Sequence, residues 1–427
     1  MSAILALAIF GIAFFFIATE RFNKVTVVLV AAGAMMVAGL LPGVDIFYSH
    51  HAGIDWNVIF LLFGMMVIVG IMRQTGLFEY LGLWAAKKSR GRPYRLMVML
   101  MVITAVASPI LDNVTIILLV VPVTIVVCNR LKLPAQPYII AEILASNIGG
   151  AATLIGDPPN IIIASRAGLT FNDFLVHMAP IVAIVFAVFV VATRWLFRKD
   201  FRYNPEQVEA VMALQERRTI RDGRLLVRCL VILGLVVIAF AVPAITVEPS
   251  IIALIGAGVM ALVSRLDAET ILSEVEWPTL AFFMGLFVMV GGLVHTGVID
   301  IVGTWAVDLV GSHYLAAASV LLFGSAVLGA FFDNIPYAAT MAPIVEELTH
   351  TMPDPGKAQG VWWSFALGAD FGGNGTAVAA SANVVGIGLA SRGGHPITFW
   401  QFTSRGVLVT ILTVLMAWVY VYLRYFS

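Results

Sequence analysis

Two Asp-Asn pairs interrupt long apolar runs of this sequence, and they are the residues best suited to chemistry. Asp112-Asn113 and Asp333-Asn334 are 221 positions apart, and a proline follows nine residues after each Asn. An ionisable residue at bilayer depth is costly and marks a functional site by default. A carboxylate there could bind a cation or take up a proton. The structural alternative is an N-cap for the helix that follows, since Asp and Asn are preferred caps.

A second pair of polar interruptions follows the Asp-Asn pairs. Residues 146–160 read SNIGGAATLIGDPPN, and residues 370–383 read DFGGNGTAVAASAN. Irregular backbone at membrane depth is tolerated only where protein or a water-filled cavity satisfies it, so both segments predict broken helices around a shared cavity. Oxygen atoms suit hard cations and half-helix N-termini suit anions, which leaves the ligand type open. The polar candidates are Ser146, Asn147, Thr153, Asp157, Asn160, Asp370, Asn374, Thr376, Ser381 and Asn383.

Three carboxylates near these breaks have distinct alternatives. Asp157 precedes two prolines, and Asp-Pro-Pro is also good turn chemistry. Asp370 replaces the Ser-Asn of the first copy and gives the second break a negative charge. Glu142 lies before the first break, and its counterpart in the second half is apolar, which indicates an asymmetric proton site.

The composition identifies a membrane protein. Hydrophobic residues make up 60% of the 427 residues, charged residues 12%, and the mean hydropathy is +0.98. A soluble protein carries about 25% charged residues. The net charge is zero, so no nucleic-acid partner is indicated. The adjacent histidines His50 and His51 fit a solvated loop better than a metal site, and we expect no metal or cofactor.

Apolar segments and their interruptions predict an all-α polytopic fold with about ten transmembrane helices and two re-entrant hairpins. The predicted spans are 2–19, 25–42, 57–73, 136–163 (interrupted), 175–197, 226–243, 249–264, 278–294, 360–390 (interrupted) and 406–426. The hairpins are predicted at 94–130 and 315–349, because each arm is too short to span once its polar tip is excluded.

Matched landmarks indicate an internal duplication. Gly64 matches Gly285 and Trp84 matches Trp305 at the offset of 221, and later landmarks match at 223. Five crossings per half force the two copies into opposite orientations, an arrangement common in secondary transporters. The predicted divisions are a first repeat at 1–197, a basic linker at 198–225 and a second repeat at 226–427.

The charge distribution predicts the orientation in the cell (inner) membrane. With both termini outside, the outward loops hold only Arg166, Lys357 and Arg424 of the 25 basic residues. The inward loops hold Arg21, Lys24, the cluster at 86–95, Arg130, Lys132 and the linker. The positive-inside rule therefore places the linker in the cytoplasm.

No nucleotide-binding or hydrolytic motif accompanies these features. The sequence contains no GxxxxGK[ST] loop and no Ser/His or HExxH constellation, so we predict no enzymatic activity. Transport must then draw on an ion gradient or on a separate ATPase subunit. A channel does not explain two matched broken helices. A carrier is the predicted function.

Three strings resemble the ion transporter superfamily, specifically its arsenite-permease/sodium-antiporter (ArsB/NhaD) branch, which includes the pink-eyed-dilution-type P permeases. They are LDNVTIILLVVPV (111–123), AEILASNIGGAATLIGDPPNIIIAS (141–165) and FFDNIPYAATMAPIVEEL (331–348). The resemblance covers nearly the whole chain. It implies a transport domain of hairpins and broken helices that moves against a scaffold like an elevator. The site residues it implies are Asp112, Asn113, Thr115, Asn147, Thr153, Asp333, Asn334, Asp370, Asn374 and Thr376.

The resemblance also sets the expected substrates and partners. Proton-coupled efflux of arsenite or antimonite is the leading expectation, sodium/proton antiport the second, and import of small organic or inorganic anions the third. The dicarboxylate branch carries Ser-Asn-Thr at its hairpin tips, whereas these tips carry Asp112 and Asp333, which would repel an anion. An arsenite ATPase subunit and a second copy of the chain are the expected protein partners.

The predicted orientation can be tested with a reporter. A fluorescent protein fused after Ser427 should lie outside and stay dark when exported unfolded, because the last span is predicted to end there. Fluorescence microscopy and a protease-accessibility assay measure this. The same reporter inserted in the linker is the control and should be bright. A bright C-terminal fusion contradicts the orientation.

Overall fold

All regular secondary structure is helical in the part of the chain that the computed structural model describes. These are residues 2–19, 21–49, 52–201, 219–310 and 313–427, which form 21 α-helices and no strand. The predicted all-α fold class is confirmed. The histidine pair His50-His51 and residues 202–218 of the predicted linker lie outside the described residues.

The helices occur in the same order in both halves, except that the short α10 has no counterpart among the described helices of the second half. The first half contains α1 (Ser2–Thr19), α2 (Lys24–Val37), α3 (Gly43–Tyr48), α4 (Trp56–Arg73), α5 (Leu77–Lys88), α6 (Pro93–Leu111), α7 (Asn113–Leu131), α8 (Ala135–Gly150), α9 (Pro158–Ala167), α10 (Phe171–His177) and α11 (Ala179–Leu196). The second half contains α12 (Gly223–Ala241), α13 (Pro249–Ser264), α14 (Ala268–Ser273), α15 (Trp277–His295), α16 (Val298–Val310), α17 (Tyr314–Phe331), α18 (Asn334–His350), α19 (Pro355–Gly372), α20 (Ser381–Arg392) and α21 (Phe399–Val421). The last helix continues as a π-helical turn, Tyr422–Phe426.

Eight of the described helices are long and apolar enough to cross a bilayer. They are α4, α6, α7, α11, α12, α15, α17 and the stretch Phe399–Phe426 that begins with α21. Three of them, α6, α7 and α17, are arms of the predicted hairpins, and these arms are longer than the sequence analysis expects. Shorter apolar helices occur at Ser2–Ile17, Lys24–Val37 and Pro249–Ser264. The protein is therefore a multi-pass membrane protein.

Helix α2 is shorter than the apolar run that predicts it. The run continues to residue 42, but the helix ends at Val37 because Gly39 adopts a left-handed φ of 67°. The Leu40 N–H donates to the Met35 carbonyl at 3.0 Å, and the Gly39 N–H donates to the Met36 carbonyl at 3.0 Å. This pair of bonds is a Schellman motif, which satisfies the last carbonyls of the helix.

The two halves interlock through reciprocal helix pairs. Helix α4 packs against α13, and α2 packs against α15, so each half supplies one member of each pair. Within each half, the first hairpin arm packs on the broken helix, α6 on α8 and α17 on α19. The second arms cross over, since α7 packs on α20 and α18 packs on α9. This crossover brings the tips and breaks of both halves to one place.

Small residues allow these helices to approach closely. A Cβ added to Gly64 would lie 2.8 Å from the Ala253 carbonyl carbon, where α4 crosses α13. A Cβ added to Gly368 would lie 2.5 Å from the Leu322 carbonyl oxygen, where α19 crosses α17. Close backbone contact of this kind is a main source of helix association in lipid. The two glycines therefore set the spacing within the α4–α13 and α17–α19 pairs.

Replacing Gly368 with alanine should lower the apparent melting temperature, because the new methyl group would collide with backbone of α17. Thermal unfolding of the purified protein in nanodiscs measures the shift. Gly324→Ala on α17 is the matched control, since a Cβ there has no neighbour within 4 Å. Equal stability of the two variants would contradict the proposed role of this crossing.

Candidate substrate and ion site

The first hairpin tip is held by Asp112. This residue connects α6 and α7 with a φ of 59°, which is uncommon outside glycine. Its Oδ1 accepts hydrogen bonds from the backbone N–H groups of Val114 and Thr115 at 2.9 and 2.8 Å. Its Oδ2 accepts from Thr115 Oγ1 at 2.6 Å. Asp112 therefore caps α7 while it keeps a carboxylate at the tip.

The second tip combines a cap with an ion pair. Asp333 Oδ1 accepts from the Ile335 N–H at 3.2 Å, which caps α18. Asp333 Oδ2 accepts from Lys24 Nζ at 2.9 Å and from Ser381 Oγ at 3.3 Å. Lys24 is the first residue of α2. Sequence analysis assigned this lysine only to the orientation of the chain, because nothing in its local sequence signals a contact more than 300 residues away.

In each half, one threonine of the broken-helix segment forms a hydrogen bond with the hairpin of the same half. Thr153 Oγ1 donates to the Pro109 carbonyl, and Thr376 Oγ1 donates to the Ala330 carbonyl at 2.6 Å. The two acceptors are 221 positions apart, like the tips. These hydroxyl groups satisfy carbonyls near the C-terminal ends of α6 and α17. Their first role is therefore to position the tips.

The last asparagine of each break closes the loop that precedes it. Asn160 Nδ2 donates to the Thr153 carbonyl at 3.1 Å, and Asn383 Nδ2 donates to the Thr376 carbonyl at 2.8 Å. Asn383 Nδ2 also donates to the Gly373 carbonyl at 2.7 Å. Both side chains are fully buried. The orientation of each amide is therefore fixed, and each Oδ1 points away from its own loop.

A chain of side-chain amides crosses from the first half to the second. Asn113 Nδ2 donates to Asn147 Oδ1 at 3.4 Å, which links the tip of the first hairpin to α8. Asn147 Nδ2 then donates to Asn383 Oδ1 at 2.9 Å and lies 3.2 Å from Asn374 Oδ1. Nearby, Ser146 Oγ donates to the Asn113 carbonyl at 3.1 Å. The predicted residues Asn113, Ser146, Asn147, Asn374 and Asn383 thus form one buried cluster.

The symmetry-related chain, from the second half to the first, lacks its hydrogen bonds, and we call it open. Asn334, Asp370 and Asn160 stand at the positions that match Asn113, Asn147 and Asn383. Among the described residues, Asn334 Nδ2, Asn160 Oδ1 and both Asp370 oxygens have no hydrogen-bond partner. Asp370 lies beside Asn160, but the pair lacks hydrogen-bond geometry.

The exchange of an amide for a carboxyl group explains the opening. Asn147 donates N–H bonds, whereas an ionised Asp370 has acceptors only. An ionised Asp370 therefore stays without a hydrogen-bond donor among the described residues unless a proton or another cation binds to it. Asp370 is fully buried, so water does not satisfy it from the surface.

Asp157 adds a second unsatisfied carboxylate to this region. It stands at the N-cap position of α9, yet its side chain caps nothing, and neither oxygen has a partner among the described residues. The turn alternative therefore does not account for its carboxyl group. Asp157 lies within electrostatic range of Asp370, Asp112 and Asp333, and beside Asn113. Both tips and both breaks thus contribute an aspartate to the same region of the protein.

The geometry of this centre differs from a metal site built only of protein ligands. The described residues contain no group of three or more His, Cys, Asp or Glu side chains that could hold a metal ion. Unpaired oxygens come instead from two carboxylates and from the amides of Asn113 and Asn160. Asn334 and Asn374 contribute unpaired N–H groups. The centre therefore offers hydrogen-bond donors and acceptors to a small polar guest, together with negative charge.

Glu142 lies outside this centre. Its Oε1 accepts from Thr124 Oγ1 at 2.7 Å between α8 and α7, and its Oε2 has no partner among the described residues. It precedes Asn147 by five residues, roughly 7.5 Å along the helix. Its proton-binding role stays a prediction.

Comparison with known proteins identifies the family. The sequence model described as a citrate transporter matches residues 14–368. The chain belongs to the citrate transporter family. An uncharacterised transporter of Mycobacterium tuberculosis is 50% identical over 99% of both chains. The P protein of Homo sapiens is 34% identical over 90% of this chain and 55% of its own length.

A solved structure of another transporter has a similar fold. The YdaH transporter of Alcanivorax borkumensis matches with a TM-score of 0.61 over 98% of this chain and 97% of its own. Its sequence identity is 12%, so the likeness concerns the fold alone. The family and the relatives identify this chain as a membrane transporter. The expected resemblance to P-protein-type permeases is confirmed, whereas membership of the arsenite-permease/sodium-antiporter branch stays a prediction.

The open and closed chains predict opposite changes in stability for two substitutions. Asp370→Asn should raise the apparent melting temperature, because the new N–H can donate to Asn160 Oδ1, and a buried hydrogen bond contributes about 1 kcal/mol. Asn147→Asp should lower it, because it removes the bond to Asn383. Thermal unfolding in nanodiscs at neutral pH measures both. A stabilised Asn147→Asp or a destabilised Asp370→Asn would contradict the assignment.

Proposed function

We propose that this family member is a secondary transporter that exports arsenite or antimonite in exchange for protons. The observation that supports coupling is the pair of buried carboxylates, Asp157 and Asp370, whose oxygens have no donor among the described residues. An unpaired buried carboxylate anion is costly, so such groups hold a proton or another cation. Loading and unloading of that cation provides the coupling.

The interlocked helices support an elevator-like mechanism. Helices α6 to α9 and α17 to α20 pack on each other across the halves, and we name them the transport group. Helices α2, α4, α13 and α15 form the reciprocal pairs, and we name them the scaffold group. The transport group would carry the centre as one body past the scaffold group. A second copy of the chain or an arsenite ATPase subunit would bind outside this centre.

The substrate proposal follows from the uncharged polar groups. At neutral pH arsenite is mostly a neutral trihydroxide, which both donates and accepts hydrogen bonds. The unpaired N–H groups of Asn334 and Asn374 could donate to its oxygens, and Asn113 Oδ1 could accept from a hydroxyl group. The carboxylates would then carry the counter-transported proton rather than contact the substrate.

Sodium/proton antiport is the second candidate. Carboxylate and amide oxygens are hard ligands. Asp157, Asp370, Asn113 and Asn160 supply such oxygens without a competing donor among the described residues. In this case sodium and the proton would alternate at the same carboxylates. No separate substrate would be needed.

Anion import is the third candidate, because the family description names citrate. The electrostatics oppose a bare carboxylate substrate. Four aspartates lie in the region of the centre, and the lysine at the second tip is already paired with Asp333. An anion would therefore have to enter together with cations that compensate its charge.

Everted membrane vesicles distinguish these candidates. Arsenite accumulation that collapses on addition of an uncoupler supports the leading proposal. Sodium-dependent proton movement without arsenite accumulation would replace it with the second candidate. Citrate transport would favour the third. Vesicles from cells without the protein are the blank for each solute.

The tip aspartates provide the matched variants. Asp112→Asn and Asp333→Asn should keep expression, since an amide oxygen can still cap each helix, but should lower the transport rate about tenfold or more. A loss of that size corresponds to at least about 1.4 kcal/mol of activation free energy. Asp354→Asn is the control, because Asp354 caps α19 at an exposed loop through the Gly356 and Lys357 N–H groups. Wild-type transport by both variants would show that Asp112 and Asp333 only cap their helices.

A further inference from the structure

Lys24 occupies a position that is built to receive a cation. Its Nζ lies 2.9 Å from Asp333 Oδ2 and 2.7 Å from Ser381 Oγ. The ring centre of Phe282 lies 5.1 Å from the same nitrogen. A carboxylate, a hydroxyl oxygen and an aromatic face all attract cations. The ammonium group is therefore held by three different elements, the tip before α18, the start of α20 and helix α15.

The first half has no equivalent position. The offsets of 221 and 223 place Ile245 opposite Lys24 and Pro158 opposite Ser381, so both the ammonium and the hydroxyl group are missing. Asp112 accepts from N–H groups and from Thr115, and its charged neighbours Glu276 and Asp157 are carboxylates rather than cations. The cation position therefore belongs to one hairpin only.

The contact also bridges the two groups of helices. Lys24 and Phe282 lie on α2 and α15, which pack together in the scaffold group. Asp333 and Ser381 lie at the starts of α18 and α20 in the transport group. Movement of the transport group past the scaffold group must therefore break the ion pair.

We propose that Lys24 is the built-in occupant of a monovalent-cation position formed by Asp333 and Ser381. The transported cation must displace it before the transport group moves. The proposal rests on the proposed function, since it needs a transported cation. Lys24 thereby acts as a positioning residue that holds the unloaded transport group in place.

Exposure decides which partner can leave the pair without compensation. The Lys24 side chain is 40% exposed and can turn toward water, whereas the Asp333 side chain is 13% exposed. Removing the partner of a mostly buried charge leaves that charge uncompensated and is destabilising. Asp333 must therefore receive another cation when Lys24 departs. This requirement ties release of the transport group to cation binding and disfavours movement of the empty carrier.

The ion pair is tested first without any transport assay. Lys24→Met and Asp333→Asn should each lower the apparent melting temperature in nanodiscs, and the double variant should recover most of the loss. Arg21→Met combined with Asp333→Asn is the control, because Arg21 lies at the same end of α2, and its effects should add. Additive effects of the Lys24 and Asp333 changes would overturn the ion pair.

The second test is a leak measurement in proteoliposomes. In the absence of substrate, vesicles with Lys24→Met should dissipate an imposed proton or sodium gradient several-fold faster than wild-type vesicles. Lys24→Arg should stay as tight as wild type, since it retains the charge. Vesicles with Lys24→Met that stay equally tight would refute the displacement mechanism. A wild-type protein without cation-coupled transport would instead refute the proposed function, and the thermal cycle would still decide the ion pair.

Discussion

Polar backbone and carboxylate groups placed inside an apolar protein must find partners within it, and the rest of this structure follows from that constraint. The broken helices expose carbonyls where no lipid or bulk water can satisfy them. Thr153 and Thr376 satisfy the ends of the first hairpin arms, and Asn160 and Asn383 satisfy the loops. In each half, the hairpin tip and the broken helix are thereby held together.

The centre combines an approximate symmetry with two departures from it. The amide chain through Asn147 is closed, while the matching chain through Asp370 is open. Lys24 neutralises one tip aspartate and has no counterpart at the other. Both departures change the charge of the site, whereas the contacts shared by the two halves provide hydrogen bonds to backbone carbonyls. The shared contacts build the scaffold of the site, and the charged exceptions are the groups able to respond to a cation.

The site was predictable from sequence where local chemistry alone dictates it. Asp112 and Asp333 interrupt apolar runs, and both lie at helix starts as their residue types favour. The contact between Asn147 and Asn383 could not be predicted, because it joins residues 236 positions apart. The apolar run that predicts α2 also extends beyond the helix, since hydropathy does not register the left-handed Gly39.

The sequence by itself determined the membrane class, the helical fold and the identity of the polar residues kept in the interior. It did so because the cost of burying charge and unpaired backbone is a property of residue type. Only the tertiary structure decided which of those residues meet. The packing of α19 on α9 brings Asp370 beside Asn160, and the approach of α2 to the tip before α18 pairs Lys24 with Asp333. Such pairings depend on helix packing between distant segments, which periodicity and composition do not encode.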